Sequence, residues 1–174
     1  TELAEMMVGR PVSFDVVKSP YVPGRKLLEV KDLTVLREND DIAVDDISFS
    51  VHSGEIVGLA GVQGNGQSEL IEALTGLRRV TSGEVQYLDK SITHSSARTR
   101  HKMGIAHIPE DRQRTGIIPN FTVAENMVLN TYYDERFSTG PIIRWADVFR
   151  SAAEFAADFD VRTPSVFTRT GQLS

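Results

Sequence analysis

Apolar positions change their period several times along the chain, and each change marks an expected element. Leu28, Val30, Leu33 and Val35 alternate with polar neighbours, the pattern of a strand with one buried face. The turn-forming run Glu38-Asn39-Asp40-Asp41 follows, and then Ile47-Ser48-Phe49-Ser50-Val51 alternates again, which predicts an antiparallel pair. Residues 55–60 form a short continuous apolar run bounded by Gly54 and Gly61, the profile of a parallel strand buried on both faces. From Ser68 the period becomes helical, with Leu70, Ile71, Leu74 and Leu77 on one stripe of a helix over 68–77. A strand is expected over 83–88, a short polar helix over 95–102 and a further buried strand over 104–108. Beyond Asn120 the pattern is helical: Thr122-Val123-Ala124-Glu125 suits a capping box. Trp145, Val148, Phe149, Ala152, Phe155, Ala156 and Phe159 share one face of a helix over 145–159. The elements describe a mixed α/β domain with an antiparallel β-rich part. Residues 1–26, broken by Pro11, Pro20, Pro23 and Gly24, read as a linker.

Composition narrows the function classes. A chain of 174 residues holds one domain with a sizeable core and no second complete one. It has no apolar run long enough to cross a bilayer and no leader-like start, so neither a spanning segment nor a secretory signal is expected. The absence of cysteine fits a reducing compartment. A formal net charge of −5 speaks against nucleic acid as a partner. Arg98, Arg100, His101 and Lys102 form the one basic cluster, which is expected to be a solvated helix face.

The candidate chemistry lies between the run 55–60 and the helix after it. Gly61-Val62-Gln63-Gly64-Asn65-Gly66-Gln67-Ser68 has the spacing of a phosphate-binding loop, G-x-x-x-x-G-K-[ST], with Gln67 where the lysine belongs. Glycines let backbone N–H groups turn inward around phosphate oxygens, and the following helix adds its unpaired N–H groups and partial positive charge. Strand, glycine loop and helix is the order that mechanism requires. The candidate nucleotide-binding residues are therefore Gly61, Gln63, Gly64, Asn65, Gly66, Gln67, Ser68 and Glu69, with the Ser68 hydroxyl as the Mg²⁺ ligand. Glutamine keeps a donor but removes a full charge, which should weaken phosphate binding by about ten- to a hundredfold and catalysis by more.

With these pieces in order, the chain resembles the nucleotide-binding cassette of ABC transporters, and most closely the second cassette of tandem-cassette importer ATPases for sugars and nucleosides. Glu5-Met6-Met7-Val8-Gly9-Arg10-Pro11 is similar to the end of a preceding first cassette, and Thr81-Ser82-Gly83-Glu84 to the turn before a returning strand of the β-subdomain. Ile108-Pro109-Glu110-Asp111-Arg112 resembles the Q-loop segment, with Glu110 in the position of the usual glutamine. Phe121-Thr122-Val123-Ala124-Glu125-Asn126 resembles the start of the helical subdomain, and Gln172-Leu173-Ser174 the opening of the signature motif. The loop variant Gly64-Asn65-Gly66-Gln67-Ser68 is similar to the nucleoside-importer branch.

The resemblance implies a P-loop NTPase-like α/β fold with an antiparallel β-subdomain, a helical subdomain and an incomplete central parallel sheet. Residues 27–119 would form the β-subdomain and part of the phosphate-loop core, and 120–174 the helical subdomain. Arg37 falls where an adenine-stacking aromatic is usual, and Glu110 would couple nucleotide state to membrane subunits. The implied cofactors are ATP and Mg²⁺, bound weakly or not at all by this fragment. The implied partners are the first cassette of the same polypeptide and transmembrane permease subunits, at the inner face of the cell membrane. The family's Walker B carboxylate, water-orienting residue and switch histidine follow the signature motif, so the chain is expected to be a fragment, inactive alone and prone to self-association. The competing expectation is a non-hydrolysing regulatory or interaction module with a nucleotide-binding-like fold.

Overall fold

The computed structural model describes Met6–Met7 and Val22–Leu173. The expected linker and the tail of a preceding cassette lie almost wholly outside the described residues. Tertiary contacts divide the chain into two compact units, residues 1–74 with 78–94, and residues 75–77 with 95–174.

The first unit is built on an antiparallel sheet in the order β2-β1-β3-β4, with β1 at Lys26–Leu36, β2 at Ile42–His52, β3 at Ser82–Tyr87 and β4 at Lys90–Ser91. Val30, Leu33 and Val35 of β1 are all buried, as is Val85 opposite Val30 on β3. Val30 and Leu33 are three residues apart, which a regular strand would send to opposite faces. A bulge resolves this: Asp32 takes a φ of 48°, the register shifts between Val30 and Leu33, and Ser48 Oγ accepts the Asp32 N–H at 2.8 Å. The second strand is longer than its alternation predicts, starting at Ile42 and reaching His52. Val44, Leu70, Ala73, Val80 and Ile92 complete the buried apolar set of this unit.

Helix α1 occupies Gln67–Thr75, with Leu70 and Ala73 as its buried residues. It ends two residues short of the expected stripe because Gly76 takes a φ of 79°, a left-handed helix stop, and Leu77 is exposed.

The two buried parallel strands expected at 55–60 and 104–108 do not form. Neither segment enters a ladder, and Ile56 and Ile108 are 98% and 86% exposed. A parallel strand depends wholly on neighbours brought by crossover connections, and the described residues supply none. Every named strand pair is antiparallel.

In the second unit Ser96 caps α2 (Ala97–Lys102) by accepting the Thr99 N–H. A π-helical turn spans Arg112–Gly116, α3 spans Val123–Met127, and the two-residue strands Ser138–Thr139 (β5) and Ile142–Ile143 (β6) make a hairpin leading into α4 (Trp145–Asp158). The expected capping box is present in full at Thr122 and Glu125. Ala124 and Val128 pack with Phe137, Val148 and Ala152 in one core, with Met127, Ile143, Phe149 and Val166 at its edge. Along the predicted face of α4, Val148 and Ala152 are the buried positions, while Trp145 and Phe159 at its ends remain exposed.

Candidate functional site

The glycine loop of the first unit has the backbone conformation its spacing demands. Gly64 and Gly66 adopt φ values of 90° and 95°, a region that favours glycine. A Cβ on Gly66 would come within 2.0 Å of the Ala43 carbonyl oxygen, so the loop is pressed against β2 at that point. The Asn65 N–H donates to the Val62 carbonyl at 3.1 Å, and Leu70 N–H donates to Gly66 O at 2.9 Å as α1 begins. Among the described residues, the N–H groups of Gly64, Gly66, Gln67 and Ser68 have no hydrogen-bond partner. Unpaired donors at Gly64 and at the three consecutive residues 66–68, gathered at a helix start, could hold an anion, and the space in front of Gly64 is open.

Gln67 does not reach out of the loop as a lysine would. Its Nε2 donates to the Val62 carbonyl at 3.3 Å and covers Gly61 so closely that a Cβ there would lie 2.0 Å from it. The amide ties the two ends of the loop to each other. Ser68 and Gln63 are exposed, so the Ser68 hydroxyl is open to a ligand.

Arg37 belongs to this loop. Its Nη2 donates to the Gly64 carbonyl at 2.8 Å, its Nη1 to the Ile42 carbonyl at 3.4 Å, and its Nε pairs with Glu69 Oε1 at 3.1 Å. The guanidinium therefore links the end of β1, the start of β2, the loop and the first turn of α1. Glu69, in that first turn, also sits where the helix dipole favours a carboxylate.

Glu110 lies in the second unit and is exposed. Asp111 beside it organises the next turn: its Oδ1 accepts the N–H groups of Gln113 and Arg114, both at 3.0 Å, and its carbonyl accepts the Thr115 hydroxyl at 2.7 Å. The residue following Glu110 is thus the N-cap of the π-helical turn, a role its Asp-x-x pattern could have signalled.

The basic cluster is not a uniformly solvated face. Arg100 is buried, its Nε donating to the Ser95 carbonyl at 3.1 Å, because the turn at Gly76 closes over that side of α2. Burial lowers its pKa from the ordinary arginine value. Arg98 is fixed by a bond from Nη2 to Tyr132 Oη at 3.0 Å and lies over the Tyr133 ring at 4.6 Å, with Lys102 also over Tyr133 at 5.0 Å. Arg98, Tyr132 and Tyr133 border a cavity of about 360 Å³, entirely within the second unit, which His101, Ile105, His107 and Leu129 also line.

The family profile described as ABC transporter matches residues 44–174, which take in the glycine loop, the segment after Ile108 and everything beyond. The chain belongs to the ABC transporter family. Among curated relatives, the guanosine import ATP-binding protein NupO of Bacillus subtilis (strain 168) is 42% identical over 173 residues, covering 99% of this chain and 34% of its own length. The nucleoside import ATP-binding protein NupA of Lactococcus lactis subsp. cremoris (strain MG1363) is 40% identical over the same extent. This cassette chain therefore spans about a third of the curated relatives it matches. Among solved structures, a nucleotide-free ATP-binding cassette from an ABC transporter superposes with a TM-score of 0.66 at 21% identity, covering 86% of this chain and 60% of its own. A cassette in a post-hydrolysis state bound to ADP and Pi gives 0.64 at 20% identity, covering 85% and 63%. The fold is that of an ABC ATPase cassette, with its antiparallel sheet and helices.

Proposed function

We propose that this chain is the second cassette of a tandem-cassette import ATPase for a nucleoside, and that its loop at 61–68 is a weakened nucleotide site. Residues 27–119 carry the β-subdomain and the phosphate loop, and residues 120–174 the helical subdomain. The first cassette of the same polypeptide and a pair of permease subunits are its partners, at the cytoplasmic face of a membrane. No described helix is long and apolar enough to cross one itself. Support for a nucleoside over another solute comes from the relatives NupO and NupA, whose names specify guanosine and nucleoside import.

The observation that carries the nucleotide assignment is the row of unpaired N–H groups at Gly64, Gly66, Gln67 and Ser68, held open by two glycines of positive φ at the start of a nine-residue helix. These donors fit phosphate oxygens, the Ser68 hydroxyl fits Mg²⁺ and Arg37 braces the loop from outside. Among the described residues no group of three or more acidic or histidine side chains could hold a metal ion. ATP supplies the phosphoanhydride whose binding and cleavage drive transport; this chain's residues bind and orient it. Without the lysine, little developing charge is neutralised here, and the chain alone does not hydrolyse ATP.

A second reading, an interaction module that uses the fold only as a surface, draws on the bond from Gln67 to Val62, which gives the loop an internal closure in place of a phosphate ligand. Calorimetric titration with Mg-ATP, on the native chain and on Gln67→Lys, separates the two. Measurable binding that tightens about ten- to a hundredfold in the variant fits the nucleotide site. No heat from either protein, both folded by circular dichroism, sinks it in favour of the interaction module.

A further inference from the structure

The side chain of Asn126 on α3 makes more hydrogen bonds than a helix-surface amide needs. Its Oδ1 accepts the Ile118 N–H at 2.8 Å. Its Nδ2 lies within bonding distance of the carbonyls of Ile118 (3.1 Å), Phe121 (3.4 Å) and Thr122 (3.1 Å), and of Thr170 Oγ1 (3.2 Å). An amide nitrogen has two protons, so these acceptors share them. The Thr170 hydroxyl in turn reaches the Ile118 carbonyl at 3.1 Å and the Phe121 carbonyl at 3.3 Å. The capping box of Thr122 and Glu125 satisfies the N–H groups of those two residues without these bonds.

The bonds instead join two stretches far apart in sequence. Around Asn126 the main chains zip together: Val123 N–H to Thr168 O at 3.0 Å, Ala124 N–H to Val166 O at 3.0 Å, Thr170 N–H to Phe121 O at 2.9 Å and Gly171 N–H to Pro119 O at 2.9 Å. The fit is close enough that a Cβ on Gly171 would lie 3.0 Å from the Pro119 carbonyl oxygen. The 3₁₀ turn Thr170–Gln172 runs directly into Leu173, and the loop 118–121 follows the π-helical turn that begins two residues after Glu110.

We infer that Asn126 is a positioning residue: it clamps the turn Thr170–Gln172 to the loop 118–121, so that the stretch entering Leu173 moves as one body with the loop behind Glu110. The inference rests on the reading of residues 172–174 as the opening of the signature motif. On that reading, movement at the Glu110 segment reaches the signature motif through this clamp, and ATP hydrolysis by the assembled parent protein depends on it. Nucleotide affinity at the loop 61–68 does not.

The test uses the full-length parent protein assembled with its permease, comparing wild type, Asn126→Ala, Asn126→Asp, Thr170→Val and the double variant Asn126→Ala with Thr170→Val for Mg-ATP hydrolysis and thermal unfolding. Asn126→Asp keeps the acceptor for the Ile118 N–H and loses every donor. The expected result is a fall in kcat of about ten- to a hundredfold for both Asn126 variants, with KM and Tm near wild type. Thr170→Val should lower kcat less and add nothing on top of Asn126→Ala, since both break one clamp. A folded Asn126→Ala with wild-type kcat overturns the inference, as does a kcat loss that merely tracks a fall in Tm. If the wild-type assembly hydrolyses no ATP, the transport reading fails instead. Hydrogen exchange then decides the clamp: protection of the Thr170 and Gly171 N–H groups should be lost in Asn126→Ala while that of α4 is kept, and unchanged protection overturns it.

Discussion

Arg37 and Glu69, 32 residues apart, are joined by an Nε to Oε1 contact of 3.1 Å, while the same guanidinium holds the Gly64 carbonyl at 2.8 Å through Nη2. One planar group thus sets the distance between the loop and the helix it feeds. Both side chains are partly solvated, at 35% and 18% exposure, so the ion pair itself contributes only a few tenths of a kcal/mol to about 1. The fork geometry is the larger effect.

Arg37→Lys should therefore behave almost like Arg37→Ala, because an ammonium on a flexible stem cannot serve Glu69, Gly64 and Ile42 together. Both variants should lose about 1 kcal/mol in urea denaturation and bind Mg-ATP more weakly through a looser loop. An Arg37→Lys chain with wild-type midpoint and affinity would show that charge alone suffices.

Gly64 and Gly66 offer a controlled comparison, since their φ values differ by little and their surroundings differ completely. Gly64→Ala meets no atom within 4 Å and should cost only the conformational penalty of about 1–2 kcal/mol. Gly66→Ala adds a clash at 2.0 Å with the Ala43 carbonyl, which only backbone movement relieves, so its cost should be at least about 3 kcal/mol. Equal destabilisation by the two, measured by chemical denaturation, would contradict the close approach of the loop to β2.

The features legible in the sequence were those with local causes. The alternation 28, 30, 33, 35 located β1, and its one break of step is the bulge at Asp32. The Thr122–Glu125 box and the glycine spacing of the loop are chemical statements within a few residues, and both took the expected geometry. The runs at 55–60 and 104–108 were not decidable in this way, because an apolar segment becomes a parallel strand only when distant segments flank it. Arg100 sits in a polar helix that reads as solvated, and its burial depends on where the Gly76 turn returns. Asn126 read as part of a helix start, while its bonds to Ile118 and Thr170 follow from a pairing 44 residues long in sequence.

Glu125 makes one end of unit two pH-sensitive. Its carboxylate accepts the Thr122 N–H at 2.7 Å and the Thr122 hydroxyl at 2.8 Å, which hold its pKa below the ordinary value of 4.5, with Arg169 assisting. A lowered folded pKa means that the bonds stabilise the fold fully above the unfolded value and are lost as pH falls through the folded one. Glu125→Gln should accordingly be less stable than wild type by about 1 kcal/mol or less near neutrality, with the gap closing only below about pH 4.5. Denaturation curves for the pair from neutral to acid pH measure it, and a gap that widens on acidification would exclude the carboxylate as acceptor.

Ile56 and Ile108 carry the last expectation. At 98% and 86% exposure, each stands in an apolar segment whose backbone donors and acceptors enter no ladder. An open strand-forming run with apolar side chains is a template for pairing with another chain, and a lysine is the usual natural deterrent. The isolated chain should show an apparent mass that rises with concentration in light scattering. Ile56→Lys and Ile108→Lys should each reduce that rise, and the double variant should reduce it further, because each run offers its own edge. Neither substitution removes a buried contact, so the unfolding midpoint should move little. A wild-type chain that stays monomeric across the range would mean that both runs are covered in solution, and hydrogen exchange at their N–H groups would then show protection that no ladder in this structure supplies.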